Sequence, residues 1–326
     1  MTALPLLALL LATAIVVAIR YGAVGFDAWD VVRALGGRGE PTTVAIVQGL
    51  RAPRVIEAAL VGAALALAGT CYQALLRNAL ADPYILGIAG GASVGSVLAI
   101  VTGVAVAGVW TLPLAGFVGA IVALLIVLRV AVVGNGVVDP RTMLLAGVIV
   151  GAFTNAVVLL ALALSDDAEF RGAMLWLMGS LAGATWERVL LLALITVVAV
   201  VALVPQARAL NLLAIGELTA QVLGTRVERT KWIVLGAASL LTASAVAVSG
   251  TIGFVGLVIP NALRLVWGSD HRLLLPTSML AGASFLVLAD LLARSAIAPR
   301  ELPLGVITAL IGVPVFVVLL RRRRDR

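Results

Sequence analysis

Residues that commonly carry chemistry are scarce in this chain. Of 326 residues, one is cysteine (Cys71), one is histidine (His271) and one is lysine (Lys231). A disulfide within one chain needs two cysteines, and a multi-cysteine or multi-histidine metal centre needs ligands that are absent here. Ser/His/Asp chemistry would have to be built around His271 alone. No G-x-x-x-x-G-K-S/T occurs, so the chain has no Walker A phosphate loop, and any ATP that drives it is hydrolysed by a partner. Charge is thin as well, at 12% of residues against 62% hydrophobic.

What fills the sequence is long apolar runs, with a mean hydropathy of +1.17. About 20 apolar residues cross a bilayer as a helix, and the helix satisfies its own backbone hydrogen bonds there. Strands of a membrane barrel would alternate apolar and polar residues, and these runs do not. The fold class is therefore an all-α polytopic membrane protein, a single transmembrane domain over residues 1–326. Ten spans are predicted, at residues 2–19, 55–76, 84–104, 113–133, 142–164, 188–204, 232–249, 250–268, 273–296 and 304–320. No Lys or Arg precedes the first, which argues against a cleaved signal peptide. An even number of spans puts both termini on one side, and the arginines at 321–324 and 326 put that side in the cytoplasm. The net charge of +7 sits at span ends, as orientation requires, and does not point to nucleic acid.

Several segments interrupt this pattern. Residues 205–231, PQARALNLLAIGELTAQVLGTRVERTK, cannot cross and read as two short water-facing helices separated by Gly216. Leu210 and Ala214 are expected on the inner face of the first, Leu218 and Val222 on that of the second, with Glu217 as a first-turn acid and Gly224 as terminator. Residues 165–187 are also too polar to cross and include a short surface helix around Met174–Met178, whose methionines read as packing rather than metal ligands. Gly87, Gly91 and Gly95 form a four-residue ridge for close helix contact, and the glycine-rich 250–268 segment, with Pro260 inside it, is expected to be broken. Two carboxylates lie near the bilayer core; Asp290 is expected to pair with Arg294 and Glu57 with Arg54, each on its own helix.

Many of these stretches resemble the permease subunits of ABC importers for ferric siderophores, haem and cobalamin, the FecCD-type family. They are RAPR at 51–54, VGAALALAG at 61–69 with Gln73, RNALADP at 77–83 with Leu86 and Gly87, LLAG at 144–147, WLMG at 176–179 and LAIGE at 213–217. The glycine-rich 250–264 stretch, DHR at 270–272, Leu275-Pro276, Ala289-Asp290, Ala293-Arg294 and ELPLG at 301–305 complete the series, in order, from about residue 50 onward.

The resemblance implies a type II importer permease that works as a homodimer of ten-helix subunits in a bacterial cytoplasmic membrane. Its partners would be a second copy of itself, two ATP-binding cassette ATPase subunits carrying ATP and Mg, an extracytoplasmic substrate-binding protein and membrane lipid. The chain itself would bind no metal or cofactor and would not be an enzyme. By the same resemblance Arg51, Arg54 and Arg294 dock the binding protein, and Asn211, Leu213, Gly216, Glu217, Leu218, Val222 and Gly224 couple to the ATPase. Asn78, Leu80, Val138, Asp139 and Pro140 form the cytoplasmic gate, and the fifth and tenth spans line the path. Where this chain has Ala79 the family usually has proline, which removes a fixed φ from the gate turn. Cargo is not legible, with ferric siderophore placed ahead of haem and cobalamin. The alternatives are an ion-coupled secondary transporter acting without ATPase partners, which the few buried charges support weakly, and a membrane enzyme, for which no catalytic constellation exists.

Overall fold

The computed structural model describes residues 2–22, 25–133 and 137–324. Its helices are α1 (Ala3–Arg20), α2 (Ala28–Leu35), α3 (Pro41–Val44), α4 (Ala52–Leu75), α5 (Ile88–Val101), α6 (Thr111–Ala131), α7 (Pro140–Leu164) and α8 (Asp167–Leu177). They continue with α9 (Trp186–Leu203), α10 (Ala207–Ile215), α11 (Glu217–Val222), α12 (Val227–Ser249), α13 (Val255–Trp267), α14 (His271–Ser295) and α15 (Leu304–Arg324). A two-residue ladder, β1 (Val132–Val133) with β2 (Val137–Val138), is the only paired sheet among the described residues. Eight helical stretches are long and apolar enough to cross a membrane, and α5 and α13 are shorter apolar helices. Together these occupy the ten places expected from hydropathy.

Two boundaries differ from expectation. The second span starts at Pro41 rather than residue 55, because α3, a π-helical turn Ala45–Arg51 and α4 run on without a break. Its first three turns carry Gln48 and Arg51, which lowered the local hydropathy and made the stretch read as a connection. In the eighth, the break falls at residues 250–254 and not at Pro260, which is accommodated inside α13. At 13 residues α13 spans about 20 Å, short of the ~30 Å hydrocarbon layer. The non-helical lead-in is covered by protein: the Tyr84 hydroxyl donates to Ile252 O at 2.8 Å and accepts from Ile252 N at 2.9 Å, while Ser180 N donates to Ser249 O at 2.8 Å. Bilayer lipid could supply none of these bonds.

Burial sorts the helices into an inner and an outer set. The span containing α4 is 83% buried and α12 and α14 are 67% and 61%, against 22–33% for α1, α6, α7, α9 and α15. Small residues along α4 make this possible. A Cβ added to Gly62 would run into the carbonyl oxygen of Gly282 on α14, and one on Gly69 into that of Gly256 on α13. Buried hydroxyls tie the same helices: Thr70 Oγ1 donates to Ser278 Oγ at 2.9 Å, and Tyr72 and Ser239 hydroxyls meet at 2.7 Å. The ridge expected on α5 is real for Gly91, against Gly119, and Gly95, against Ala115. Gly87 instead sits at φ +73° in the turn before α5, a conformation that suits glycine.

Replacing Gly282 by alanine forces α4 and α14 apart. The expected cost is about 1–3 kcal/mol, read as a lower thermal midpoint in detergent, whereas Gly236→Ala on α12, where an added Cβ meets nothing within 4 Å, should leave it unmoved. Equal midpoints for the two variants would contradict this packing.

Candidate functional site

Alternation of the spans puts residues 51–54, 290–294 and 301 at one end of the bundle and α10, α11 and the 77–83 turn at the other. At the first end, Arg54 is the hub. Its guanidinium donates to both oxygens of Asp290 (Nε at 3.0 and 3.2 Å, Nη2 at 2.9 Å) and to Glu301 at 2.9 Å from each Nη. Asp290 is 1% exposed and also pairs with Arg294, at 3.4 Å, the expected same-helix contact. Arg294 donates to Ala18 O, and Arg51 donates to Ile19 O and Arg20 O at 3.0 Å each while stacking 4.6 Å over Phe26. The expected docking arginines thus come together, but as a largely buried network that closes the end of α1 onto α4 and α14.

The Glu57–Arg54 pair is not formed. Arg54 turns to the other two carboxylates, and both Glu57 oxygens are buried without a hydrogen-bond partner among the described residues. A three-residue spacing permits a pair, but a bidentate fit to Asp290 across the helix contact competes and wins.

At the opposite end α10 and α11 lie against the bundle through Ala207, Leu210, Leu213 and Ala220. The expected faces are corrected here. Ala214 points outward, and Leu218 and Val222 are 79% and 87% exposed, with Ile215 and Leu223 beside them. Alternative faces of a six-residue helix are nearly equal in pattern, and a docking face is itself apolar. Leu213 is a buried anchor, and two other expected coupling residues face inward. Asn211 accepts from His271 N at 2.9 Å and meets His271 Nδ1 at 2.7 Å, while its Nδ2 donates to Asp270 at 2.7 Å. Glu217 accepts from Lys231 Nζ at 2.8 Å, and Glu228 does so at 3.0 Å. Gly216 separates the helices and Gly224 follows α11 at φ +83°. Lys231 and His271, each the sole residue of its type, are functional candidates that sequence reasoning passed over. Their isolation at the starts of apolar spans was the available signal.

The 77–83 turn beside this surface is held from two helices. Asn78 Oδ1 accepts from Leu80 N at 2.9 Å, and Leu80 stands half exposed. Gln73 Nε2 donates to Ala81 O at 3.2 Å and Gly256 O at 3.1 Å, Asn261 Nδ2 donates to Ala79 O at 2.8 Å, and Arg264 donates to Gln73 Oε1. These bonds restrain the turn through the carbonyls of Ala79 and Ala81, without fixing φ at Ala79 as a proline would. Asp139 caps α7 through Thr142 N at 3.0 Å and Thr142 Oγ1 at 2.5 Å, and the Thr142 hydroxyl, ahead of the amide, holds its carboxyl below the usual range. The side chains of Val138 and Pro140, also expected at the gate, lie outside the described residues. A cleft of about 930 Å³ lined by Arg77, Asp139, Arg141, Glu217 and Leu218 lies between the start of α7 and the start of α11. On the flank, α7 and α15 expose Leu145, Ile149, Phe153, Leu310 and Val313, and an apolar groove of about 1190 Å³ runs between α5, α6 and α7.

Comparison with known proteins fits this arrangement. The FecCD transport family model matches residues 9–322. The uncharacterized ABC transporter permease protein YvrB of Bacillus subtilis is 46% identical over 289 residues, 88% of this chain and 82% of the relative. The cobalamin import system permease protein BtuC of Halobacterium salinarum is 45% identical over 290 residues, 88% of this chain and 77% of the relative. A solved metal-chelate type ABC transporter in an inward-facing conformation superposes with a TM-score of 0.87 at 32% identity, covering 98% of both chains. With a family model spanning nearly its whole length and a structural match of the same extent, this chain belongs to the FecCD transport family, as a membrane permease of the ABC-importer class.

Proposed function

We propose that the chain is the permease of an ATP-driven importer that carries cobalamin, a cobalt chelate, across a bacterial cytoplasmic membrane. The observation that carries the cargo is the 45% identity with a cobalamin import permease over 88% of the chain. The metal-chelate description of the structural neighbour agrees with that choice. This narrows the siderophore-first expectation toward cobalamin. Two copies would enclose the path along the apolar faces of α7 and α15, a lining without metal ligands that suits a large, weakly held chelate.

In this reading α10 and α11 face the cytoplasm and seat an ATPase subunit, with Ile215, Leu218, Val222 and Leu223 as the apolar contact. Exposed apolar side chains at a water-facing end need a protein cover more than those on a lipid-facing flank do. The opposite end receives an acidic substrate-binding protein at the arginine cluster. Arg54 keeps 13% of its side chain exposed, and its outer partner Glu301 is 44% exposed, so a partner's carboxylate can replace Glu301 without uncovering Asp290. Exchange of one carboxylate for another favours orientation and encounter rate over raw affinity.

Reconstituted with its ATPase and binding protein, the wild-type complex should take up radiolabelled cyanocobalamin on addition of ATP and ignore a ferric hydroxamate at the same concentration; the reverse preference would overturn the cargo. Leu218→Arg with Val222→Glu should abolish co-purification of the ATPase while the thermal midpoint of the permease stays unchanged; intact assembly would remove these residues from the contact. At the other end, Arg54→Gln uncovers a buried charge and should cost about 3 kcal/mol of stability, while Glu301→Gln should cost under about 1 kcal/mol. Glu301→Gln should also tighten binding-protein docking in a salt-sensitive titration, because Arg54 is then released to the partner. Weaker docking by Glu301→Gln would contradict the exchange.

A further inference from the structure

Asn211 has no freedom in how its amide is placed. Asp270 Oδ1 already accepts from Arg272 N at 3.0 Å, and a carboxylate so engaged can only accept, so the atom 2.7 Å away from it is Nδ2. The amide oxygen then faces the backbone N–H of His271, which can only donate. That oxygen is also 2.7 Å from the His271 ring, so Nδ1 carries the hydrogen. His271 is 3% exposed, and its Nε2 is buried without a partner among the described residues. The first docking helix is therefore clasped to the N-cap turn of α14 through one amide, whose oxygen takes both His271 donors and whose nitrogen donates to Asp270. The second is rooted independently: Glu217, the first residue of α11, is held by Lys231 of α12, which is 2% exposed and also bound by Glu228.

Both roots lead to the same turn of α4. From α14, Ser278 meets Thr70, and from α12, Ser239 meets Tyr72, each through buried hydroxyls. Gln73, the next residue, grips the 77–83 turn at the carbonyl of Ala81. The α4–α14 contact cannot slide to absorb a displacement, because Gly62 and Gly282 meet backbone to backbone. Tightly packed elements pass on a displacement as a rigid shift.

We propose that His271 and Lys231 are positioning residues that fasten the docking helices to α14 and α12, so that a movement imposed on α10 and α11 reaches the gate turn at Leu80 through residues 70–73. This rests on α10 and α11 being the ATPase-docking surface. The reporter is built in, since Cys71 is fully buried and Leu80→Cys creates an accessible thiol.

The experiment compares maleimide labelling of Leu80→Cys in the ATPase-bound complex, with and without ATP and vanadate. In the Leu80→Cys parent, labelling should depend on nucleotide. Adding His271→Leu, which deletes the ring donor, should reduce that nucleotide-dependent difference about fivefold or more, a typical coupling magnitude. Adding His271→Asn instead, whose Nδ2 stands at the position of Nδ1, should restore it; a merely structural site would not distinguish the two at equal thermal midpoint. Should His271→Leu fail to assemble, Tyr72→Phe severs the α12 root by a single hydroxyl and should give the same loss. Full nucleotide dependence in His271→Leu or Tyr72→Phe, or failure of His271→Asn to restore it, overturns the proposal. If the ATPase does not bind the parent chain, the docking reading itself falls and takes the linkage with it, a result distinct from bound ATPase with unaltered gating.

Discussion

The backbone contact between Gly62 of α4 and Gly282 of α14 is the constraint on which the rest depends. Neither position has room for a Cβ, so the two helices share the middle of the bundle with almost nothing between them. In a bilayer no solvent-driven collapse brings apolar helices together, and close van der Waals approach must do so. Fixing α4 against α14 at mid-depth also fixes what each helix carries at its ends. At one end Arg54 of α4 is set opposite Asp290 of α14; at the other, the first turn of α14 is set beneath Asn211 and the last turn of α4 beside the 77–83 turn.

Charge is concentrated at those two ends, and there the structure is most particular. The Arg54 cluster places Asp290 out of water between two guanidinium groups, a burial that is tolerable because its oxygens receive several charge-assisted hydrogen bonds. Lys231 is treated the same way, with two carboxylates around one buried ammonium. Such pairs add little net stability over an apolar core, but they specify a single geometry. With apolar flanks along most of its length, the bundle holds its geometry at these two ends through matched charges rather than through extra burial.

The architecture was largely legible in the sequence, because apolar length is a direct readout of what a bilayer requires. The ten segments emerged with their ends within a few residues, except where Gln48 and Arg51 lowered the hydropathy of a stretch that is helical from Pro41. The two short helices were legible as elements, and Leu210 as an inward residue, but Ala214, Leu218 and Val222 were not: they have the spacing of core residues and point outward. Side-chain partnerships were the least accessible. Arg54 is three residues from Glu57 and 236 from Asp290, yet it binds the second. The Asn211 clasp joins residues about sixty apart, and only the packing of α14 brings them within reach.

This distinction explains why the residues expected to dock divide as they do. An apolar side chain facing a partner subunit and one facing the core obey the same transfer free energy, so pattern alone cannot separate them. A polar side chain in the same helix has no such ambiguity once its partners are seen, because buried donors and acceptors must be matched. Asn211 and Glu217 are matched inside the chain, whereas Ile215, Leu218, Val222 and Leu223 stay largely exposed among the described residues. The inward polar set and the outward apolar set therefore do different work on the same two helices. Under the proposed docking, one would transmit and the other receive, and a substitution that keeps an outward residue apolar should be tolerated where removal of an inward hydrogen bond is not.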